Sequence, residues 1–271
     1  MSERPEPAPE LRLSATVLLL RDGTPGLEVF MVQRHHQIDF VAGALVFPGG
    51  KVEPSDAGAV MRAHCDGTDG LSDDEVTVRV AAIRETFEES GVLLARPRGE
   101  SRVVNDTELS HLDATHRAAL QAGECDLRSV VEQEQLTLAC DELVPFAHWL
   151  TPTFMPKRFD THFFLAAAPP DQLAAHDGHE SVDSLWTTVP GAVESERAGT
   201  HTIIFPTLVN LRKLGRSADL ASAMRAARQD TLVTVLPEIR RDADGDKKLF
   251  IPEDAGYDVV KTSLGGVKPA R

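Results

Sequence analysis

Ile83-Arg84-Glu85-Thr86-Phe87-Glu88-Glu89-Ser90-Gly91-Val92 is the stretch on which the fold turns. It closes a segment, residues 75–89, in which Val76, Val80, Ile83 and Phe87 recur at helical spacing and form one narrow apolar stripe. Glu85, Glu88 and Glu89 share the opposite face. Asp73 or Asp74 is placed to cap the start of this helix, and Gly91 its end, where a left-handed backbone favours glycine. Three carboxylates about 5 Å apart repel by about 3 kcal/mol per pair at an effective dielectric of 20, a cost that a cation among them removes. Ligation by oxygen alone points to Mg2+ or Mn2+.

Upstream, residues 15–20 and 27–32 are apolar runs on either side of Arg21-Asp22-Gly23-Thr24-Pro25-Gly26, which predicts two strands about a turn. Residues 44–47 predict a third strand, stopped by Pro48-Gly49-Gly50, and residues 92–94 begin another after the helix. Leu109, Leu112, Leu120, Leu127, Val130 and Val131 stand among polar residues, so 106–142 is expected to be an inserted helical layer. Strand character returns at 159–166 and 182–189, two helices fall within 206–228, and Asp244-Gly245-Asp246 marks a late hairpin. Strands interleaved with helices define the α/β class. Residues 1–10, rich in Pro and Glu, are expected to be a disordered tail.

Composition narrows the partners. In 271 residues, 28 Lys and Arg face 42 Asp and Glu, a net charge of −14 that repels long nucleic acid. The apolar run at 17–20 is far too short to span a bilayer, so no membrane partner is expected. Cys65, Cys125 and Cys140 form no C-x-x-C pair, and a reducing, cytoplasmic setting is the expectation. Gly49-Gly50-Lys51 lacks the upstream glycine of a phosphate-binding loop, His179-Glu180 lacks the second histidine of a zinc-protease helix, and no nucleophile elbow is present.

Together, Gly50, the helix residues Arg84, Glu85, Glu88 and Glu89, and Gly91 and Val92 just beyond the helix resemble the Nudix box, G-x5-E-x7-R-E-U-x-E-E-x-G-U, where U is a bulky aliphatic residue. Asp56 stands at the first glutamate, Thr86 at the first U, and the spacer, residues 57–83, is 27 residues long, 20 more than the pattern. Lengthening a flexible loop costs little, so Gly50 can still lie beside the helix. The run from Ile83 to Glu89, with Trp149-Leu150-Thr151-Pro152 and Lys157-Arg158-Phe159-Asp160-Thr161 downstream, is similar to the coenzyme A diphosphatase branch, which also carries an insertion inside the box. The resemblance runs over about residues 11–214.

That resemblance implies a Nudix-type α/β/α sandwich with a mixed sheet, a helical insertion and a C-terminal helical extension. The domain would span 11–200, with a box insertion at about 57–75 and the helical insertion at about 101–145. Residues 201–271 would pack on the same domain. Glu85, Glu88 and Glu89, with the Gly50 carbonyl, would hold Mg2+ or Mn2+, and Glu180 is the candidate for an acidic ligand from a later loop. Arg84 would orient a glutamate, Glu85 or Glu89 would serve as general base, and Glu53 and Asp56 would take loop or ion-pair roles. Arg34, Lys157 and Arg158 are the candidate phosphate-binding cations. The implied reaction is hydrolysis of a nucleoside diphosphate linked to another group, with coenzyme A or acyl-coenzyme A foremost and ADP-ribose or NADH as alternatives. A catalytically inactive nucleotide-binding protein is the other reading. The inserted helices at 106–142 and the C-terminal helices would serve as a substrate lid or a homodimer interface, and the sequence does not choose. His35, His36, His148 and His162 lack ligand spacing and read as surface or hydrogen-bonded histidines, while Trp149 and Trp186 read as core anchors.

Overall fold

The computed structural model describes residues 10–34, 43–172, 174 and 181–263. The chain opens with β1 (Leu11–Asp22) and β2 (Leu27–Arg34), paired antiparallel about the expected turn. Short strands β3 (Leu45–Val46) and β4 (Gly49–Lys51) lie along β2 and β1. A 3-10 turn at Pro54–Asp56, helix α1 (Ala59–Arg62) and strand β5 (Cys65–Asp66) precede the long helix α2 (Asp73–Ser90). Then come β6 (Ala95–Pro97), α3 (Asp106–Leu112), a π turn at Asp113–Arg117, α4 (Ala118–Gln121), α5 (Leu127–Gln133) and β7 (Leu136–Ala139). Next are β8 (Val144–Leu150), β9 (Arg158–Ala167), β10 (Ser181–Thr188), α6 (Val189–Arg197), α7 (Phe205–Leu214) and α8 (Leu220–Gln229). Four short strands end the described chain: β11 (Thr234–Val235), β12 (Glu238–Arg241), β13 (Lys247–Phe250) and β14 (Lys261–Ser263).

The central sheet runs β10-β2-β1-β9-β8-β11, with β3 and β4 attached to β2 and β1. It is mixed: β1 and β9 are parallel from Leu11–Arg158 to Leu20–Ala167, whereas β1–β2, β8–β9 and β2–β10 are antiparallel. Alternation along β1 sends Ala15, Val17 and Leu19 to one face and Leu18 and Leu20 to the other. The first face, with Phe164 and Ala166, meets Val76, Val80, Ile83 and Phe87 of α2 and, further out, Leu109, Leu112 and Val130 of the inserted helices. The second packs on Ala192, Val209, Leu211, Leu214, Ala223 and Met224 of α6, α7 and α8. Each such burial contributes about 1.5–3 kcal/mol for a Val, Leu, Ile, Phe or Met side chain, so both helical layers are held by the sheet they cover. The result is the α/β/α sandwich. Among the described residues, no helix is long and apolar enough to cross a membrane.

Local expectations need four corrections. Ser72, not Asp73 or Asp74, caps α2, because its hydroxyl accepts the Glu75 N–H while the Glu75 carboxylate takes the Ser72 N–H in return. Residues 92–94 are not a strand; the Gln172 side chain occupies the N–H and carbonyl of Leu93, and β6 begins at Ala95. The layer at 106–142 is not helical throughout, since residues 136–139 form β7, which pairs with β5 and β6. Trp186 is only half-buried, tilted against Phe30 with the Arg21 guanidinium over its ring, whereas Trp149 is buried. The tail, apart from Glu10, lies outside the described residues, as do His35 and His36.

Candidate active site

Helix α2 carries the site because one side of it is committed to the core. Polar residues inside that packing are satisfied within the helix: Thr86 Oγ1 donates to the Ala82 carbonyl at 2.7 Å and Ser90 Oγ to the Thr86 carbonyl at 2.5 Å. Thr86 therefore fills an aliphatic position of the box, fully buried, without an unpaired hydroxyl. Gly91 ends the helix at φ 71°, the left-handed cap read from the sequence.

Arg84 organises the carboxylates. Its Nε and Nη2 donate to the two oxygens of Asp56 at 2.9 and 3.0 Å, and Nη2 also donates to the Lys51 carbonyl at 2.7 Å. Nη1 reaches Glu85 Oε1 at 3.0 Å and the Glu88 carboxylate at 3.3 Å. Asp56 is 1% exposed and Arg84 3%, so this is a buried, bidentate pair. Burial works against the Arg84 charge, but Asp56, Glu85 and Glu88 outweigh it and hold the guanidinium protonated. Burial pushes the Asp56 carboxyl up, opposed by the bonds from Arg84 and by the Glu53 N–H. Glu88 is likewise pushed up by burial, with Arg84 pulling the other way.

The glycine turn closes onto this face. The Gly49 N–H donates to Glu89 Oε2 at 2.9 Å, and a Cβ on Gly50 would lie 2.4 Å from the Glu85 carboxylate. Only glycine allows that approach. From the far side, Arg117 Nε and Gln121 Nε2 donate to the Glu88 carbonyl at 2.9 and 2.6 Å, so the inserted helices brace the end of α2. Asp56, Glu85 and Glu88 surround one guanidinium and Glu89 joins them at the glycine turn, so four carboxylates face a single positive charge. With oxygen as the sole donor type, and glycine leaving a cradle that a side chain would fill, these residues suit a hard divalent cation.

Of the residues expected at the site, the structure thus brings together Gly50, Arg84, Glu85, Glu88 and Glu89. Asp56 joins them through Arg84, and Glu53 stands at the N-cap of the 3-10 turn that presents Asp56. Arg34 ends β2 half-buried, and its Nε has no hydrogen-bond partner among the described residues. Lys157 is exposed. Arg158 is buried and donates from Nε to the Thr151 carbonyl at 3.2 Å. It pairs with Leu11, four residues along β1 from the Ala15–Gly50 pair, about 13 Å at the rise of a strand. Glu180 lies outside the described residues. Sequence reading missed a second cluster, His148, Asp160 and His162, which neighbouring strands bring together. Its signal was an Asp-x-His on one strand with a histidine on the strand before it.

An α/β/α sandwich with a glycine turn against an Arg-Glu…Glu-Glu helix defines the Nudix class. Within it, the family model described as the NUDT19 Nudix domain matches residues 59–214, and the chain belongs to that family. The acyl-coenzyme A diphosphatase NUDT19 of Gallus gallus is 28% identical, over 90% of this chain and 80% of its own length. Its Xenopus laevis namesake is 25% identical over 72% of this chain, which spans only 61% of that protein. A NUDIX hydrolase structure from Alicyclobacillus acidocaldarius superposes with a TM-score of 0.65 at 28% identity, over 80% of this chain and 96% of that one.

Proposed function

We propose that this chain is a metal-dependent hydrolase that splits a diphosphate linkage, with coenzyme A or acyl-coenzyme A as substrate. The observation that carries the reading is the Arg84-centred cluster: three helix carboxylates and the glycine turn converge, although 27 residues separate Asp56 from Arg84. The substrate class rests on the relatives named acyl-coenzyme A diphosphatase. Glu85, Glu88 and Glu89, with the Gly50 carbonyl, hold Mg2+ or Mn2+. When bound, that ion neutralises phosphate charge and makes a water more acidic. Arg84 fixes Glu85 and Glu88 in place, Asp56 fixes Arg84, and Glu85 or Glu89 receives the proton of the attacking water. Among the three candidate cations, Arg34 is assigned to the substrate phosphates, because its buried Nε has no partner among the described residues. Lys157, in the turn before β9, and Arg158, the first residue of β9, take secondary positions.

The test is to incubate the purified chain with Mg2+ or Mn2+ and coenzyme A, acyl-coenzyme A, ADP-ribose, NADH and dinucleoside polyphosphates, identifying products by mass. Cleavage of coenzyme A or its acyl ester between the two phosphorus atoms, lost in Glu89→Gln and on chelation, is the expected result. Cleavage of another compound alone replaces the substrate. Binding without cleavage of any compound overturns catalysis and leaves a nucleotide sensor.

A further inference from the structure

Beyond the box, the described residues hold one other cluster with metal-ligand chemistry, on β8 and β9. His148 and His162 are cross-strand partners, and Asp160 precedes His162 by two residues on the same strand, so all three side chains project from one face of the sheet. The imidazoles stack at 4.3 Å between centroids and 25° between planes, and each has its Nε2 within reach of Asp160. His148 Nε2 lies 2.5 Å from Asp160 Oδ1, and His162 Nε2 lies 3.5 Å from the same oxygen. The ligand atoms of the three residues fit within 4.8 Å of one another.

From this geometry we infer that His148, Asp160 and His162 form a second metal site, for a first-row transition ion of the Zn2+ type. Tetrahedral Zn2+ with bonds of about 2.0–2.1 Å sets its ligands about 3.4 Å apart, so the His162–Asp160 separation already fits; on binding, the His148–Asp160 contact opens by about 1 Å and one imidazole rotates out of the stack so that both Nε2 lone pairs face the ion. Two imidazoles and a carboxylate favour Zn2+ and its neighbours over Mg2+ or Ca2+, which separates this site chemically from the all-oxygen box. The outer shell is also in place. His148 Nδ1 is 2.8 Å from the Thr234 hydroxyl on β11, which orients the ring and leaves Nε2 toward Asp160. Side-chain exposures of 22–31% leave a route for the ion and room for water as a fourth ligand.

The two sites are distinct. His162 neighbours Ala15, which neighbours Gly50, so about 10 Å of sheet separates their backbones. Above the sheet, His162 feels Glu75 and Arg79 in the first half of α2, whereas the box carboxylates occupy its last turns. A bound ion would tie β9 to β8 and, through Thr234, to β11 at the edge of the sheet.

The experiment titrates Co2+ into the tag-free chain under saturating Mg2+, following visible absorption, with Zn2+ then added as competitor. The expected result is one equivalent of Co2+ with d–d bands, displaced by Zn2+, unchanged in Glu89→Gln and abolished in the double variant His148→Gln/His162→Ala. Thr234→Val, which keeps all three ligands, is expected to weaken binding about 10–100-fold, and it decides the matter if the double variant fails to fold. Equal Co2+ binding by wild type and double variant, or no binding by either, overturns the site and leaves a His148–Asp160 hydrogen bond. Loss of the bands in Glu89→Gln alone also overturns it, because the ion is then in the box; that outcome leaves the proposed hydrolysis untouched.

Discussion

Arg84 and Asp56 meet through two parallel hydrogen bonds of 2.9 and 3.0 Å across 28 positions of sequence, and both are almost wholly buried. That pair is what makes the long insertion tolerable, because it pins the end of the glycine turn to α2 whatever the intervening chain does. Asp56→Ala strands a buried guanidinium and is expected to cost about 3–5 kcal/mol, read from urea denaturation, with hydrolysis lost in the same variant. Asp56→Asn, which keeps one acceptor, is expected to lose less. Equal stability of Asp56→Ala and wild type would show that the pair carries no structural role.

Gly50→Ala probes the close approach to Glu85, where a Cβ would stand 2.4 Å from the carboxylate. Glu85 lies at a partly open surface, so it is expected to swing aside with little change in Tm. A misplacement of about 1 Å at such a site costs on the order of 100-fold in rate. Full activity in Gly50→Ala would separate Glu85 from the chemistry.

How much of this was legible beforehand follows from the range of each interaction. The stripe of α2 and its Gly91 cap are local, repeating within one helix, and were readable. So were β1, β2, β9 and β10, which fall on the expected strand segments. Strand β8 (Val144–Leu150) was not, nor were β4, placed where Pro48-Gly49-Gly50 was read as a stop, and the two-residue β11, because their place in the sheet comes from pairing with distant strands. Strand β7 was hidden because its four residues gain their identity from pairing with β5 and β6, tens of residues away. Ser72 was masked by two aspartates that cap equally well in isolation; the reciprocal bond to Glu75 selects it. The His148–Asp160–His162 cluster depends on the register of β8 against β9, and Cys65 and Cys140, far apart in sequence, share a hydrogen bond that, with burial, pushes the Cys140 thiol up. Register and long-range contact are not written in spacing.

A buried chain of hydrogen bonds ties the C-terminal segment to the sheet. Trp149 Nε1 donates to the Tyr257 hydroxyl at 2.8 Å, which donates to Asn210 Oδ1 at 2.7 Å. Tyr257→Phe leaves two buried polar groups without this partner and is expected to cost about 2 kcal/mol in urea denaturation. Because the chain lies on the face of the sheet away from α2, kcat/KM is expected to stay at the wild-type value. A fall in kcat/KM at unchanged stability would show that residues 201–271 reach the active site.

Acid stability offers a test at the inserted helices. Glu108 is held down to about 2 by the Arg102 guanidinium and, secondarily, by the Asn105 N–H. A carboxyl whose folded value is depressed stabilises the fold above its unfolded value, near 4.5, and loses that contribution as pH falls toward 2. The pair is largely solvated, so the contribution is below about 1 kcal/mol. Glu108→Gln is therefore expected to be slightly less stable than wild type at pH 7, with the gap narrowing between pH 4.5 and 2. Denaturation series at pH 7, 5 and 3 measure it. A gap as wide at pH 3 as at pH 7 would assign the effect to side-chain packing or capping geometry, since neither depends on the charge of Glu108.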